Sequence, residues 1–179
     1  MIRFTLATSA AAILCACASS PTMTAFTQAS LPDAVKVPAG HKVALETVGV
    51  GQITYECRAK KDMANQFEWV FVGPDAKLMG RDGKQVGKYF GPPATWESAD
   101  GSKITGAQVA VSPAAAGNIP LQLVKANPAM GNGAMTGVTY IQRVVTQGGV
   151  APTSACATSN LTKKEIVNYQ ADYIFWKAI

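Results

Sequence analysis

Several segments of this chain follow hydrophobic patterns that are typical of β-strands. In residues 52–57, the side chains of Ile53, Tyr55 and Cys57 fall on one face and polar side chains fall on the other. This two-residue period is typical of a strand that is buried on one face only. Similar alternating or β-branched runs predict four further strands. These segments are 43–48, 67–71, 138–146 and 169–176.

Turn residues separate these segments at short intervals. Asp-Gly pairs occur at 82–83 and 100–101, each between strand-like residues. Asp-Gly favours hairpin turns because glycine accepts positive φ angles without a steric penalty. A Gly-Pro-Pro sequence at 91–93 fixes φ and removes amide donors, so the chain must bend there or run along an edge. We therefore expect two successive hairpins around this bend.

Helical signals are weak by comparison. Residues 74–78 are compatible with one helical turn, and Thr162 and Glu165 have the spacing of a capping box. The many short strands separated by turns are typical of β-sandwiches and barrels. The sequence therefore predicts a single all-β domain, an antiparallel sandwich or barrel-like fold with short hairpins and little helix.

The N-terminal residues predict export. Arg3 precedes a short apolar run at 4–14 that contains no acidic residue, as in secretory signal peptides. Cys17 follows a leucine three residues earlier and a small residue directly before it, which resembles the bacterial lipoprotein signal. We expect residues 1–17 to be a signal peptide with a lipobox and Cys17 to carry a lipid. Ordinary cleavage at a small-residue site is the alternative.

Export implies a division of the chain into three parts. Residues 18–30 are rich in Ser, Thr and Ala without periodicity, which suits a flexible tether after the signal peptide. The remaining residues, 31–179, form the predicted β-rich domain. We expect this domain at the periplasmic face of the bacterial envelope, anchored to the outer membrane by lipid. A freely secreted form is the alternative.

Composition narrows the expected partners. The net charge is +5, but the lysines are scattered and form no basic stripe, so nucleic acid is not an expected partner. One histidine and the absence of zinc-type cysteine spacing argue against a metal site. The glycine pairs at 49–51 and 131–133 lack the third glycine of a dinucleotide fingerprint. We therefore expect no metal and no cofactor.

The cysteines of the predicted domain are Cys57 and Cys156. Exported proteins enter an oxidising compartment, where a lone pair of cysteines is expected to form a disulfide. The sequence therefore predicts one disulfide that closes a long loop. Two unpaired structural thiols are the alternative.

Residues around the Gly-Pro bend form the first candidate ligand site. Tyr89 and Trp96 flank the bend, and exposed aromatic rings on rigid loops are common in binding surfaces. Core packing of these two rings is the alternative. Lys88 and Asp100 lie beside them in sequence. Glu97 and Asp100 also have the residue types of a glycosidase acid pair, although solvated turn charges explain them equally.

Two charged residues in strand-like runs are further candidates. Arg143 and Asp172 each stand in the middle of such a run, where burial of a charge is costly without a partner. They are expected to point outward to water, to pair with each other, or to bind a ligand together. These three alternatives differ in the distance between the two side chains.

The chain resembles a known family over most of its length. The residues that carry the resemblance are, in order, 49–57, Trp69, 74–78, 89–92, Trp96, 100–102, 138–143, 146–149, Cys156 and 169–173. On these residues, the chain from Leu31 onward is similar to the domain-of-unknown-function family 3455. The resemblance implies an exported β-rich domain with a cysteine pair, found in bacteria and fungi. It implies no established activity and no catalytic residues.

The chain also departs from the family pattern. Lys88 stands where members commonly have a histidine before Tyr-x-Gly-Pro, and Leu121 stands where they commonly have tryptophan after Ile-Pro. A chemical role of that histidine would therefore be lost or altered here.

The sequence favours a non-catalytic function. We expect a lipid-anchored envelope protein that binds an unknown envelope ligand or protein, or serves as a structural component. The alternative is a secreted hydrolase acting on cell-wall or other polysaccharide, with its site near Lys88, Tyr89, Trp96 and Asp100.

Overall fold

The computed structural model describes residues 25–179, which form one closed antiparallel β-barrel. Each strand pairs with its neighbours in sequence, and the last strand pairs with the first. The all-β prediction is confirmed, with a barrel rather than a sandwich. The strands are β1 (His41–Ala59), β2 (Phe67–Met79), β3 (Gln85–Phe90), β4 (Thr95–Ser98), β5 (Lys103–Ser112), β6 (Leu121–Ala126), β7 (Val138–Gly148) and β8 (Lys164–Ala178).

The interior of the barrel is filled by alternate residues of the strands. In β8, the predicted face of Tyr169, Ala171, Tyr173 and Phe175 points inward and is buried. In β1, Ile53 and the residues two and four positions after it are also buried. These side chains pack in one continuous core. The two-residue period of the sequence therefore identified the inner face correctly.

One strand replaces the two that the sequence suggested at 43–48 and 52–57. Both segments belong to β1, which continues through Gly49 and Gly51 without a turn. A Cβ on Gly51 would lie 2.6 Å from Cβ of Ala76 and closer still to the carbonyl oxygen of Asp75. Glycine is therefore required at position 51 by the close approach of β2, rather than by a change of chain direction.

The helical predictions were wrong at both places. Residues 74–78 belong to β2, where Ala76 and Leu78 point into the core and pair with both neighbouring strands. Thr162 has a φ of +67°, and Glu165 already belongs to β8. The described residues contain two short 3₁₀ turns, Asp33–Val35 and Thr158–Asn160. None of the described residues forms a helix long and apolar enough to cross a membrane.

The predicted hairpins are confirmed. Gly83 and Gly101 have φ angles of +78° and +86°, as the Asp-Gly turns require. The turns connect β2 with β3 and β4 with β5, and the Gly-Pro-Pro bend connects β3 with β4.

A segment before the barrel packs on its outer surface. Val35 and Val37 are buried against the outward residues of β6, β7 and β8. The buried amide of Gln142 donates to the carbonyl oxygen of Val35 at 2.6 Å and accepts from the indole N–H of Trp176 at 2.8 Å. Gln28, which falls in the predicted tether, hydrogen-bonds both backbone groups of Val37. The segment before the barrel therefore supplies the acceptors for the amide N–H groups of Gln142, and Trp176 of β8 supplies the donor to its oxygen.

The two ends of the barrel differ. At the end that we call the closed end, Met135 is buried in the core. The connections at this end are 80–84, 99–102 and 127–137. At the opposite end, which we call the open end, the connections are 60–66, 91–94, 113–120 and 149–163.

A disulfide ties the longest connection to the barrel at the open end. Cys57 in β1 is bonded to Cys156, 99 residues later, as the sequence predicted. The same connection is held by the hydroxyl of Tyr55, which donates to the carbonyl oxygen of Gly149 at 2.8 Å. The indole N–H of Trp69 donates to the carbonyl oxygen of Ser154 at 2.8 Å. The rim of the open end is therefore fixed at several points.

Candidate functional site

The open end of the barrel contains a partly enclosed cavity of about 330 Å³, which we call the mouth cavity. Eight-stranded barrels are just wide enough to be filled by side chains or to hold one small ligand. Pockets for small molecules usually begin at about 300 Å³. The residues that line the cavity come from β2 to β7 and the bend after β3. They are Phe71, Tyr89, Ala94, Trp96, Gly106, Gln108, Gln122, Val124 and Arg143.

An aromatic cluster forms one wall of the mouth cavity. Tyr89 and Trp96 are directly paired in β3 and β4, and their rings stack with centroids 4.7 Å apart. Tyr173 packs against both rings from β8. Tyr89 and Trp96 are only 5% and 1% exposed. Of the two alternatives that the sequence left open, core packing of these rings is confirmed and exposure on a loop is not, because both residues are inward residues of strands.

Trp96 contributes an unusual polar group to this wall. Its indole N–H is buried and has no hydrogen-bond acceptor among the described residues. Leaving a buried donor unpaired costs about 1–3 kcal/mol, so most buried donors in proteins have a partner. Trp96 therefore keeps an unpaired donor that is buried within the aromatic cluster.

Arg143 supplies positive charge to the mouth cavity. It points inward from β7 opposite Gln122 of β6. Nε and Nη2 of Arg143 donate to the carbonyl oxygen of Pro120 at 3.1 and 2.9 Å, which orients the guanidinium. Gln122 donates to Gln108 at 2.7 Å beside it. In the described part of the chain, Arg143 has no ion-pair partner.

The tyrosines near Arg143 do not neutralise its charge. Burial raises the pKa of the Tyr89 phenol, and the positive charge of Arg143 opposes this increase only in part. The same two effects act on the pKa of Tyr55. Burial also raises the pKa of Tyr169 and Tyr173. The phenols are therefore neutral at neutral pH, and the cavity carries the positive charge of Arg143.

The suggested pairing of Arg143 with Asp172 is wrong. Asp172 is opposite Val144 in the β7–β8 register, and its side chain lies on the outer face of the barrel. There it pairs with Arg81 at 2.7 Å, and Arg81 also contacts Glu46 at 3.2 Å. Arg143 is paired with Tyr173, and Asp172 is the neighbour of Tyr173 in β8. Because neighbouring residues of a strand point to opposite faces, Arg143 and Asp172 lie on opposite sides of the sheet.

Lys88 and Glu97 lie on the outer surface of the barrel. They are directly paired in β3 and β4, next to the inward pair of Tyr89 and Trp96. Glu97 forms ion pairs with Lys88 and Lys103, each at 3.3 Å. The structure therefore places Lys88 outside the mouth cavity.

Asp100 lies at the closed end, far along the barrel from the mouth cavity. Its carboxylate accepts hydrogen bonds from the backbone and hydroxyl of Ser102 at 2.9 and 2.6 Å. It also accepts from the backbone N–H of Ala134 at 2.7 Å, and the hydroxyl of Ser102 accepts from Met135 at 3.1 Å. The hydrogen bond from Ser102 is the largest cause that lowers the pKa of Asp100 to about 2. Asp100 therefore holds the 127–137 connection in place.

Sequence reasoning thus found three of the residues in the mouth cavity and missed others. Tyr89, Trp96 and Arg143 come together there. Phe71 was recognised as part of a strand face, but its position at the rim, where it is 51% exposed, depends on the barrel. Gln108 and Gln122 carry no sequence signal.

A wider depression of about 670 Å³ lies on the outer face of the barrel. It is open to solvent and is lined by glycine backbone, by amide side chains including Gln52 and Asn168, and by Asp75, Lys77 and Tyr169. Among residues 25–179, no group of three His, Cys, Asp or Glu side chains is arranged to hold a metal ion. The mouth cavity is the site that combines enclosure, aromatic surface and charge.

These features define a closed eight-stranded antiparallel barrel with a cationic, aromatic cavity at one end. The chain belongs to the family described as Protein of unknown function (DUF3455), which matches residues 38–177. The match covers all but the last residue of the barrel strands and leaves the whole 25–37 segment outside. Neither the curated proteins nor the solved structures contain a match to this chain.

Proposed function

We propose that this chain is an exported, lipid-anchored protein of the bacterial envelope whose barrel is a non-catalytic binding module for a small molecule. The ligand would occupy the mouth cavity at the open end. Export and lipid attachment at Cys17 rest on the sequence, since these residues lie outside the described part of the chain.

The mouth cavity is the observation that carries this proposal. Its volume of about 330 Å³ fits the small end of the range of ligand pockets. Its lining combines the rings of Tyr89 and Trp96 with the guanidinium of Arg143. Apolar walls with a few placed polar groups are typical of small-molecule sites. A purely structural component would not require such a cavity.

The disulfide supports the export part of the proposal. Cys57 and Cys156 are bonded, and protein disulfides persist mainly in oxidising compartments such as the periplasm. The bond ties the 149–163 connection to β1 at the open end of the barrel.

The geometry favours binding over hydrolysis. Glycosidases generally use two carboxyl groups that flank the scissile bond. No Asp or Glu lines the mouth cavity. Glu97 is paired with two lysines on the outer face, and Asp100 lies at the closed end. We therefore propose no hydrolytic function.

A thermal-shift screen with a blocked cavity tests the proposal. Ligands that bind only the folded state raise the melting temperature. The purified mature protein would be screened against glycans, lipids and small organic acids, bases and neutral compounds. Gln108→Trp places a large side chain at the rim of the mouth cavity. Gln52→Trp is the matched control in the wider outer depression.

The expected result is a stabilising compound whose effect is lost in Gln108→Trp and kept in Gln52→Trp. Loss of the effect in Gln52→Trp alone would place the binding site on the outer face and overturn the proposal. Absence of any stabilising compound across the screen would also contradict it.

A further inference from the structure

We propose that the mouth cavity selects a small organic monoanion with a flat apolar body, such as an aromatic carboxylate, and that Arg143 binds its carboxylate group. This inference rests on the proposed binding function and names the ligand class. It is argued from the charge, the free donors and the shape of the cavity.

The charge of the cavity requires an anion. Arg143 remains cationic at all physiological pH values. Its orienting partner is the neutral carbonyl group of Pro120, and no ion pair within residues 25–179 involves Arg143. The other two arginines within residues 25–179 have carboxylate partners: Arg58 pairs with Glu56, and Arg81, at the closed end, pairs with Glu46 and Asp172. Arg143 therefore differs by having a charge that a ligand can neutralise.

Arg143 also keeps hydrogen-bond donors for a ligand. A guanidinium has five N–H donors. Two of its nitrogens donate to Pro120, which fixes the plane of the group without using all of the donors. A planar guanidinium held in this way matches a carboxylate, which can accept two parallel hydrogen bonds. The bond to Pro120 thus prepares the group for binding.

The wall of the cavity suits a flat apolar body. The rings of Tyr89 and Trp96 stack on each other, with an angle of 18° between their planes, and are 5% and 1% exposed, so only a small part of their surface faces the cavity. Phe71 adds a partly exposed ring at the rim and packs edge-on against Tyr55, with centroids 6.1 Å apart. Aromatic ligands gain from offset stacking or edge contacts with such rings.

The single cation favours a monoanion over a phosphate monoester. A phosphate monoester carries a charge of about −1.5 to −2 at neutral pH. The lining contains one arginine and no lysine, so it supplies one positive charge. An organic carboxylate matches this charge, and the amide groups of Gln108 and Gln122 beside it add uncharged hydrogen-bond partners.

Matched acids and amides test the inference. The probes are benzoate, phenylacetate, naphthalene-2-carboxylate and indole-3-acetate, each with its neutral primary amide. Binding to the mature disulfide-bonded protein is measured by isothermal titration calorimetry and thermal shift. We expect at least one carboxylate to bind and its amide to bind at least about tenfold more weakly, since hydrogen bonds to charged groups are the stronger ones.

Two arginine variants complete the test. Arg143→Gln should weaken binding of the carboxylate at least about tenfold and leave binding of the amide unchanged. Arg81→Gln removes a cation from the outer surface and should leave both unchanged. Circular dichroism and melting temperature report whether each variant is folded. If Arg143→Gln does not fold, the difference in affinity between each acid and its amide, measured on the natural protein, tests whether the cavity selects anions.

Other outcomes overturn the inference in distinguishable ways. If acids and amides bind equally and Gln108→Trp abolishes the binding of both, the mouth cavity is a binding site but does not select anions. Tighter binding of phenyl phosphate than of any carboxylate would also reject the monoanion class. Binding by none of the carboxylates would refute the inference, and the wider screen would still report separately on the binding function.

Discussion

Trp96 shows that a side chain can be both part of the core and part of a binding site. Its ring is almost fully buried between Tyr89 and Tyr173, yet it lines the mouth cavity. The size and shape of this ring therefore matter first for the stability of the folded protein. A variant that truncates the ring tests folding rather than ligand contact.

We predict that Trp96→Ala will lower the free energy of unfolding by about 3–5 kcal/mol, as expected for a large aromatic residue removed from a core. Trp96→Phe should cost clearly less, because it keeps an aromatic ring against Tyr89 and removes the unpaired indole N–H. Urea denaturation of the two variants measures both values. An unchanged stability of Trp96→Ala would contradict the buried position of this ring.

Asp100, at the closed end, makes a pH-dependent contribution to the stability of the folded protein. Its pKa is about 2 in the folded protein, below the ordinary value of 3.8. A carboxylate with a lowered pKa stabilises the folded state fully above its unfolded-state pKa, and loses this contribution as the pH falls through its folded-state pKa. The stabilisation is therefore present at neutral pH and disappears in strong acid.

We predict that Asp100→Asn lowers the melting temperature at pH 7, and that the difference from the natural protein shrinks between about pH 4 and pH 2. Thermal unfolding over this pH range measures it. Asp82→Asn is the matched control in the other Asp-Gly turn, where the carboxylate contacts the backbone N–H and the exposed ammonium of Lys84 and does not reach another connection. A difference that stays constant with pH would contradict the assigned role.

At the scale of the strands, β1 needs glycine at position 51 although the strand does not bend there. Position 51 faces the core, and β2 approaches so closely that no side chain fits. The strand therefore runs unbroken over its 19 residues and pairs with β2 and β8 along most of its length.

We predict that Gly51→Ala destabilises the barrel by about 1–3 kcal/mol, since an added methyl in a packed core forces the backbone to shift. Gln52→Ala, at the next position on the exposed outer face, should change stability by less than about 0.5 kcal/mol. Denaturation midpoints of the two variants provide the comparison. Equal stability of both variants would show that β1 and β2 can separate freely at this point.

The strands were predictable because their residues alternate, and the failures have local causes. The inward face of Tyr169, Ala171, Tyr173 and Phe175 could be seen in the sequence because polar residues alternate with it at 170 and 172, although Ile174 and Trp176 on the outer face are buried as well. Residues 74–78 contain a proline and charged residues, which concealed the inward positions of the strand. Strand pairing, not local propensity, decided the conformation there.

The candidate site depended on register, which one sequence does not reveal. Arg143 and Asp172 lie on adjacent strands, but a shift of one residue decides whether two side chains share a face. The observed register pairs Asp172 with Val144 and Arg143 with Tyr173. Arg143 therefore faces the cavity and Asp172 faces solvent. The partner of Asp172, Arg81, lies in a distant turn that sequence spacing did not suggest.

At the scale of the whole molecule, the disulfide joins distant parts of the chain. Its closed loop of about 100 residues includes most of the barrel. In the chain-entropy account, such a bond stabilises the folded protein by up to about 4.7 kcal/mol through restriction of the unfolded chain.

We predict that the double variant Cys57→Ser, Cys156→Ser loses up to about 4.7 kcal/mol of stability and exchanges amide hydrogens faster in the 149–163 connection. Urea denaturation and hydrogen exchange measure the two effects. Reduction of the natural protein with dithiothreitol serves as a matched comparison. A loss below about 0.5 kcal/mol would show that hydrogen bonds alone hold the rim.

Lipid attachment is the prediction that concerns the protein in its cell. We expect intact-mass analysis of the membrane-extracted protein to show a mature chain that begins at Cys17 with diacyl or triacyl modification. Cys17→Ser should appear in the soluble fraction without that mass increment. An unmodified mature chain of shorter length in the natural protein would contradict anchoring.

The path of the segment before the barrel sets how an anchored molecule would stand on a bilayer. The backbone of Phe26 contacts Glu46, and its ring packs against Trp176, so the chain joins the barrel beside the half that Met135 seals. Cys17 precedes Phe26 by nine positions, and nine residues reach at most about 32 Å, which limits how far an anchor could lie from this half of the barrel. A lipid on Cys17 would hold that half toward the headgroups. The aromatic mouth would then look outward into the aqueous space, where solutes arrive without crossing the membrane surface.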